Sequence, residues 1–87
     1  MPRAYPPLTS QEVVAILQAL GFQFLRHGRG DHDIYVRRTS QRAYTVTVDM
    51  GENEFDAFLL QSMIKQAGVS RATFYNATPP TARKIGK

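Results

Sequence analysis

Apolar residues recur along this chain with two different periods. Val13, Ile16, Leu17 and Leu20 fall at i, i+3, i+4 and i+7, a single helical stripe. Thr9-x-x-Glu12 just before them has the form of a capping box: the hydroxyl accepts an orphan helix N–H and the carboxylate reaches back to the cap's own N–H. Gly21 then supplies the residue that turns the chain out of the helix, so the spacing predicts a helix over about residues 10–20. Beyond it the period shortens to two. Phe22 to Arg26 is a short aromatic run, and Asp31 to Arg38 and Arg42 to Val48 are rich in β-branched residues. In the last of these, Tyr44, Val46 and Val48 share one face and Thr45 and Thr47 the other. His27-Gly28-Arg29-Gly30 and Thr39-Ser40-Gln41 read as the connecting turns. Helical spacing returns after the polar loop 49–53. Phe55, Leu59, Ile64 and Ala67, with Leu60 and Met63 beside them, predict a second helix closed by Gly68, and Ser70 is placed to cap a short turn through Phe74.

The order is helix, three antiparallel strands, helix. Both apolar stripes must cover the same sheet face, because no other element can bury them. The predicted class is therefore α+β, α-β-β-β-α, with two helices on one face of a three-stranded sheet, an order that resembles the double-stranded-RNA-binding domain. Phe22, Ile34, Val46 and Leu59 are the expected core contributors. Met1 to Pro7 is proline-rich, and from Thr78 onward two prolines precede a basic run almost without apolar residues. The expectation is a single domain at residues 8–77 between flexible tails, 1–7 and 78–87.

Composition narrows the chemistry. The absence of cysteine among 87 residues excludes a disulfide scaffold and thiolate catalysis, and fits a reducing cytoplasm. No apolar run approaches the ~18 residues of a membrane span, and the N-terminus lacks a signal-peptide core, so a cytoplasmic protein is expected. The net charge of +4 favours an acidic partner such as RNA. That charge is unevenly placed: Asp49, Glu52, Glu54 and Asp56 form an acidic block, whereas residues 65–87 carry only bases. Asp31, Asp33, Asp49, Glu52 and Glu54 match no cation-binding loop, so neither metal nor cofactor is expected.

Only two histidines supply proton transfer near neutral pH. His32 stands just past the glycine-rich turn, amid Arg26, Arg29, Arg37 and Arg38, whose guanidinium forks match phosphate oxygens. A proton-transfer group beside a phosphate-attracting surface suggests chemistry on RNA. His32 is the candidate for that group and the four arginines, with Lys65, are candidate RNA contacts. Asp31 and Asp33 flank His32 as candidate modulators of its charge, and Tyr35 is a candidate for stacking on a base. His27 is the rival histidine, read more simply as a polar residue of the turn.

A family resemblance rests on longer stretches. Leu8-Thr9-Ser10-Gln11-Glu12-Val13, Leu20-Gly21-Phe22, Gly30-x-His32-x-Ile34-Tyr35, Val46-Thr47-Val48 and Ile64-Lys65-Gln66-Ala67-Gly68-Val69-Ser70 together are similar to the HicA-type toxins, over roughly residues 8–75. The resemblance implies a type II toxin that cuts mRNA without metal through one histidine, which falls on His32, and is silenced by a HicB-type antitoxin. Three features depart from the family pattern. Asp31 replaces a serine, the preceding turn is one residue longer, and the segment after the third strand is acidic. The alternative reading keeps the fold and drops the chemistry, leaving a non-catalytic module that binds RNA or a protein partner.

Overall fold

Thr9 and Glu12 close both halves of the predicted capping box: the Thr9 N–H donates to Glu12 Oε1 at 2.9 Å, and the Glu12 N–H to Thr9 Oγ1 at 3.1 Å. The computed structural model describes residues 5–85. From β1 (Leu8–Thr9) the chain enters α1 (Ser10–Ala19), whose Val13, Ile16 and Leu17 are buried. β2 (Gln23–His27), β3 (His32–Arg38) and β4 (Ala43–Asp49) follow as an antiparallel sheet with β3 central. β5 (Glu54–Phe55) then pairs with β1, Leu8 opposite Phe55. α2 (Ala57–Ala67), α3 (Arg71–Tyr75) and α4 (Pro79–Ile85) complete the order.

One core holds α1 and α2 against the sheet. Tyr35, Val46 and Val48 meet Val13, Ile16 and Leu17 of α1 and Leu60, Met63, Ile64 and Ala67 of α2 in one buried cluster. Tyr35 lies directly opposite Val46, and Asp33 opposite Val48, so both helices cover the same sheet face. This is the expected α+β architecture, like the double-stranded-RNA-binding domain. Gly68 ends α2 at φ +77°, a left-handed conformation that costs glycine least.

Strand parity differs from the reading of the sequence in one respect that matters. Ile34 was expected in the core, but the register puts Tyr35 there and turns Ile34 and Val36 to the helix-free face. Ile34, Tyr35 and Val36 are all apolar, so alternation alone does not choose between them. Leu59 is likewise 41% exposed, and Leu60 takes its place in the core. Phe55 reaches the core from β5, before Asp56 caps α2, and counting it as helical sets the helix phase wrong. The β1–β5 ladder is an addition that two-residue strands give no periodicity to reveal.

The expected tail from Thr78 onward is instead helical through Ile85. Prolines suit the first turn of a helix, where their missing N–H would find no partner. Thr81 is buried, and its hydroxyl donates to the Tyr75 carbonyl at 2.8 Å. At the other end Tyr5 packs on the Tyr75 ring at 4.9 Å, and the Tyr75 hydroxyl donates to the Pro6 carbonyl. Burial pushes that phenol up to about 12. Residues 1–4 and 86–87 of the expected tails lie outside the described residues.

Lys84 of α4 ties the two ends of the chain together, its Nζ 3.0 Å from Glu12 Oε1. Burial alone would raise the Glu12 carboxyl. The Thr9 backbone N–H, the Lys84 ammonium and the Thr9 hydroxyl outweigh it and hold the group below its ordinary value of 4.5. A carboxyl so lowered stabilises the fold above the unfolded value, and that contribution fades as pH falls below it. Lys84→Ala is therefore expected to lower stability by about 0.5–1 kcal/mol at pH 7. Urea melts repeated at pH 4 should show a smaller difference from wild type; an equal or larger one would mean the ion pair contributes nothing.

Candidate active site

His32 opens β3, and the turn before it fixes its backbone on both sides. Its N–H donates to the Arg29 carbonyl at 3.0 Å, and its carbonyl accepts from the Gly28 N–H at 2.6 Å. Directly opposite on β4 is Asp49, so His32 shares the helix-free face with Ile34, Val36, Thr45 and Thr47. Among the described residues the core helices α1 and α2 pack on the opposite face, and the imidazole reaches solvent from this one. The side chain is 47% exposed.

A bulge in β2 brings an arginine to the same face. Phe24 pairs with Tyr35 but Arg26 pairs with Ile34, so the register slips by one residue at Leu25. The extra residue reverses parity, re-aiming Arg26 from the helix side to the His32 side. Arg29 stands exposed in the turn between β2 and β3. Arg38 shares the open face at the far end of β3, six residues from His32 and so roughly 20 Å away.

The other candidate residues lie elsewhere. The Arg37 guanidinium lies over the Phe22 ring at 5.5 Å and the Tyr44 ring at 4.5 Å, on the helix side of the sheet, where it acts as a packing residue. Tyr35 is buried and unable to stack on a base; burial, then the Asp33 charge, raises its phenol. Asp33 points to the helix side, where its Oδ1 accepts from His27 Nδ1–H at 2.7 Å. His27 is therefore more than a turn residue, with its ring also 5.0 Å from Phe24. The hairpin holds the two histidines on opposite faces. Lys65 lies on α2, also across the sheet from His32, beside a groove of about 560 Å³ lined by Phe58, Ile64, Arg71 and Tyr75.

The carboxylate that faces His32 is Asp49, with Oδ2 3.8 Å from Nε2. Its other oxygen accepts the Gly51 N–H at 3.0 Å. The Asp31 carbonyl accepts the Met50 N–H at 2.8 Å, tying the 49–52 turn to the glycine turn. The Asp31 carboxylate lies so close that a Cβ on Gly51 would sit 2.6 Å from Oδ2. Asp31 and Asp49 thus form an acidic rim beside a cationic turn. Sequence inspection named the chain neighbours of His32 and overlooked Asp49. Its signal is hairpin arithmetic: with Arg38 opposite Ala43, residue numbers across the pair sum to 81, and His32 meets Asp49. Arg42, stacked on Tyr44 at 4.5 Å, was also overlooked.

Among the described residues no three metal-ligating side chains cluster, and no helix is long and apolar enough to cross a membrane. A family model described as "HicA toxin of bacterial toxin-antitoxin" matches residues 10–69, which span α1 through α2. No curated protein matches the chain.

Proposed function

The chain belongs to the HicA toxin family of bacterial toxin–antitoxin systems, and from that premise we propose that it is an endoribonuclease that cuts mRNA through His32 without a metal. Membership implies an antitoxin partner, and we take that partner to be a HicB-type protein that covers His32 or the basic turn. The acidic segment 49–56 offers it a second docking surface. One observation supports the catalytic reading most: a histidine with both backbone groups fixed stands on an open sheet face that Arg26 and Arg29 make cationic.

In this mechanism the 2′-hydroxyl oxygen attacks the adjacent phosphorus and the P–O5′ bond breaks. Products are a 2′,3′-cyclic phosphate and a 5′-hydroxyl end. Arg26 and Arg29 neutralise charge on the phosphoryl oxygens, and His32 transfers a proton, a contribution worth typically ~10²–10⁴-fold. Purified protein should cut a long mRNA in the presence of EDTA and stop when the HicB-type antitoxin is titrated in. RNA binding with no cleavage under any condition would instead favour the non-catalytic module, a reading to which the acidic rim of Asp31 and Asp49 lends some support.

Binding carries its own prediction. Arg26 and Arg29 are exposed and take part in no ion pair among the described residues, so replacing both with alanine should leave the fold intact. RNA affinity should fall, and the plot of log affinity against log salt should become shallower by about 1.4, the loss of two single-strand phosphate contacts. Arg37→Ala should act on stability instead. A salt slope identical in wild type and the double variant would remove these two residues from the interface.

A further inference from the structure

His32 and Asp49 form a cross-strand pair where β3 begins and β4 ends. We propose that Asp49 is the positioning residue of His32: its carboxylate retains the Nε2 proton, so that the proton delivered to RNA leaves from Nδ1. This rests on the RNA-cleavage reading and assigns His32 the role of general acid within it. Three features of the site support it. Asp49 is the residue directly opposite His32 in the β3–β4 register, so backbone pairing sets the distance between them. Asp49 Oδ1 accepts the Gly51 N–H at 3.0 Å, an arrangement in which Oδ2 faces the imidazole at 3.8 Å. Both side chains remain about half exposed, so the pair is open to a substrate laid across the sheet face. A contact of 3.8 Å is longer than a hydrogen bond, and catalytic bonds of this kind shorten when substrate closes over them.

The reaction explains why an acid is the role worth organising. The departing 5′ oxygen leaves as a strongly basic alkoxide, whereas the 2′-hydroxyl proton can pass to water. In the proposed step the 2′ oxygen forms its bond to phosphorus as the P–O5′ bond breaks. The Nδ1 proton of the doubly protonated ring goes to O5′, and the 2′ proton goes to water. His32 is left neutral with its remaining proton on Nε2, facing Asp49, and regains the other from solvent. Asp49 from β4 faces the ring, Asp31 precedes His32 in the turn with its carboxylate beside Gly51, and Arg26 of β2 lies on the same sheet face. Arg26 draws the phosphate in while Asp49 keeps the ring turned.

The test compares two oligonucleotides of one sequence, one all-RNA and one with sulfur in place of O5′ at the cut. A thiolate leaves without needing a proton, so a defect in the acid disappears on the sulfur substrate and a defect in folding or binding does not. Asp49→Asn preserves the acceptor for the Gly51 N–H while removing the charge, and Asp49→Ser does the same with a smaller group. On all-RNA both should lower kcat by about tenfold with KM unchanged or lower, and His32→Ala by roughly 10²–10⁴-fold. On the sulfur substrate all three should come within about threefold of wild type. Equal deficits on both substrates, or Asp49→Asn cutting as fast as or faster than wild type, would overturn the role of Asp49. Normal cutting of all-RNA by His32→Ala would overturn the cleavage mechanism itself, together with this inference.

Discussion

Replacing His32 with alanine is expected to end RNA cleavage and growth arrest while leaving the domain folded. The rate should drop by about 10²–10⁴-fold, the range for losing a positioned proton-transfer group. His27 offers no rescue: it is held by Asp33 on the opposite face of the hairpin and does not reach a substrate on the His32 side. The structural cost should be small. The His32 side chain is half exposed on the uncovered face, and the hydrogen bonds that fix its backbone survive truncation. Stability should change by about 1 kcal/mol or less. Induced expression of each form, followed by growth curves and a thermal melt of the purified variant, checks both halves. Arrest by a folded His32→Ala protein would show that toxicity does not run through this residue.

The largest expected loss of stability comes from Gly68→Ala. At φ +77° any L side chain is strained, and a Cβ there would lie 2.5 Å from Tyr44 Cε2 and 2.9 Å from Cδ2. The Tyr44 ring has little room to yield, since the Arg37 and Arg42 guanidiniums both lie over it at 4.5 Å. Backbone strain and the displaced ring together should cost about 2–4 kcal/mol, a large share of a small domain's stability. A urea melt reads this directly. A midpoint within error of wild type would mean the C-terminal turn of α2 gives way at no cost.

Much of the fold was legible because local chemistry and global packing agree where α1 begins and α2 ends. Thr9 and Glu12 form the capping box their spacing promises, and Gly68 is left-handed as its position requires. The three-strand sheet followed from glycine turns and alternation. What the sequence hid is what alternation does not encode. β3 is apolar on both faces, so parity between Ile34 and Tyr35 was decided only by pairing with β4. The bulge at Leu25 has no residue signature, yet it decides that Arg26 joins His32 while His27 does not. Prolines 79 and 80 look like breakers and in fact start α4, because their effect depends on which turn of a helix they occupy. Asp49 lies 17 residues from His32 and becomes its neighbour only through the register.

The chemical ends of cut mRNA report whether His32 drives metal-free cleavage by the 2′-hydroxyl. Purified wild-type protein in EDTA should leave 2′,3′-cyclic phosphate and 5′-hydroxyl ends, and His32→Ala should leave the message intact. Fragments carrying 5′-phosphate ends, or the same cuts made by His32→Ala, would contradict it.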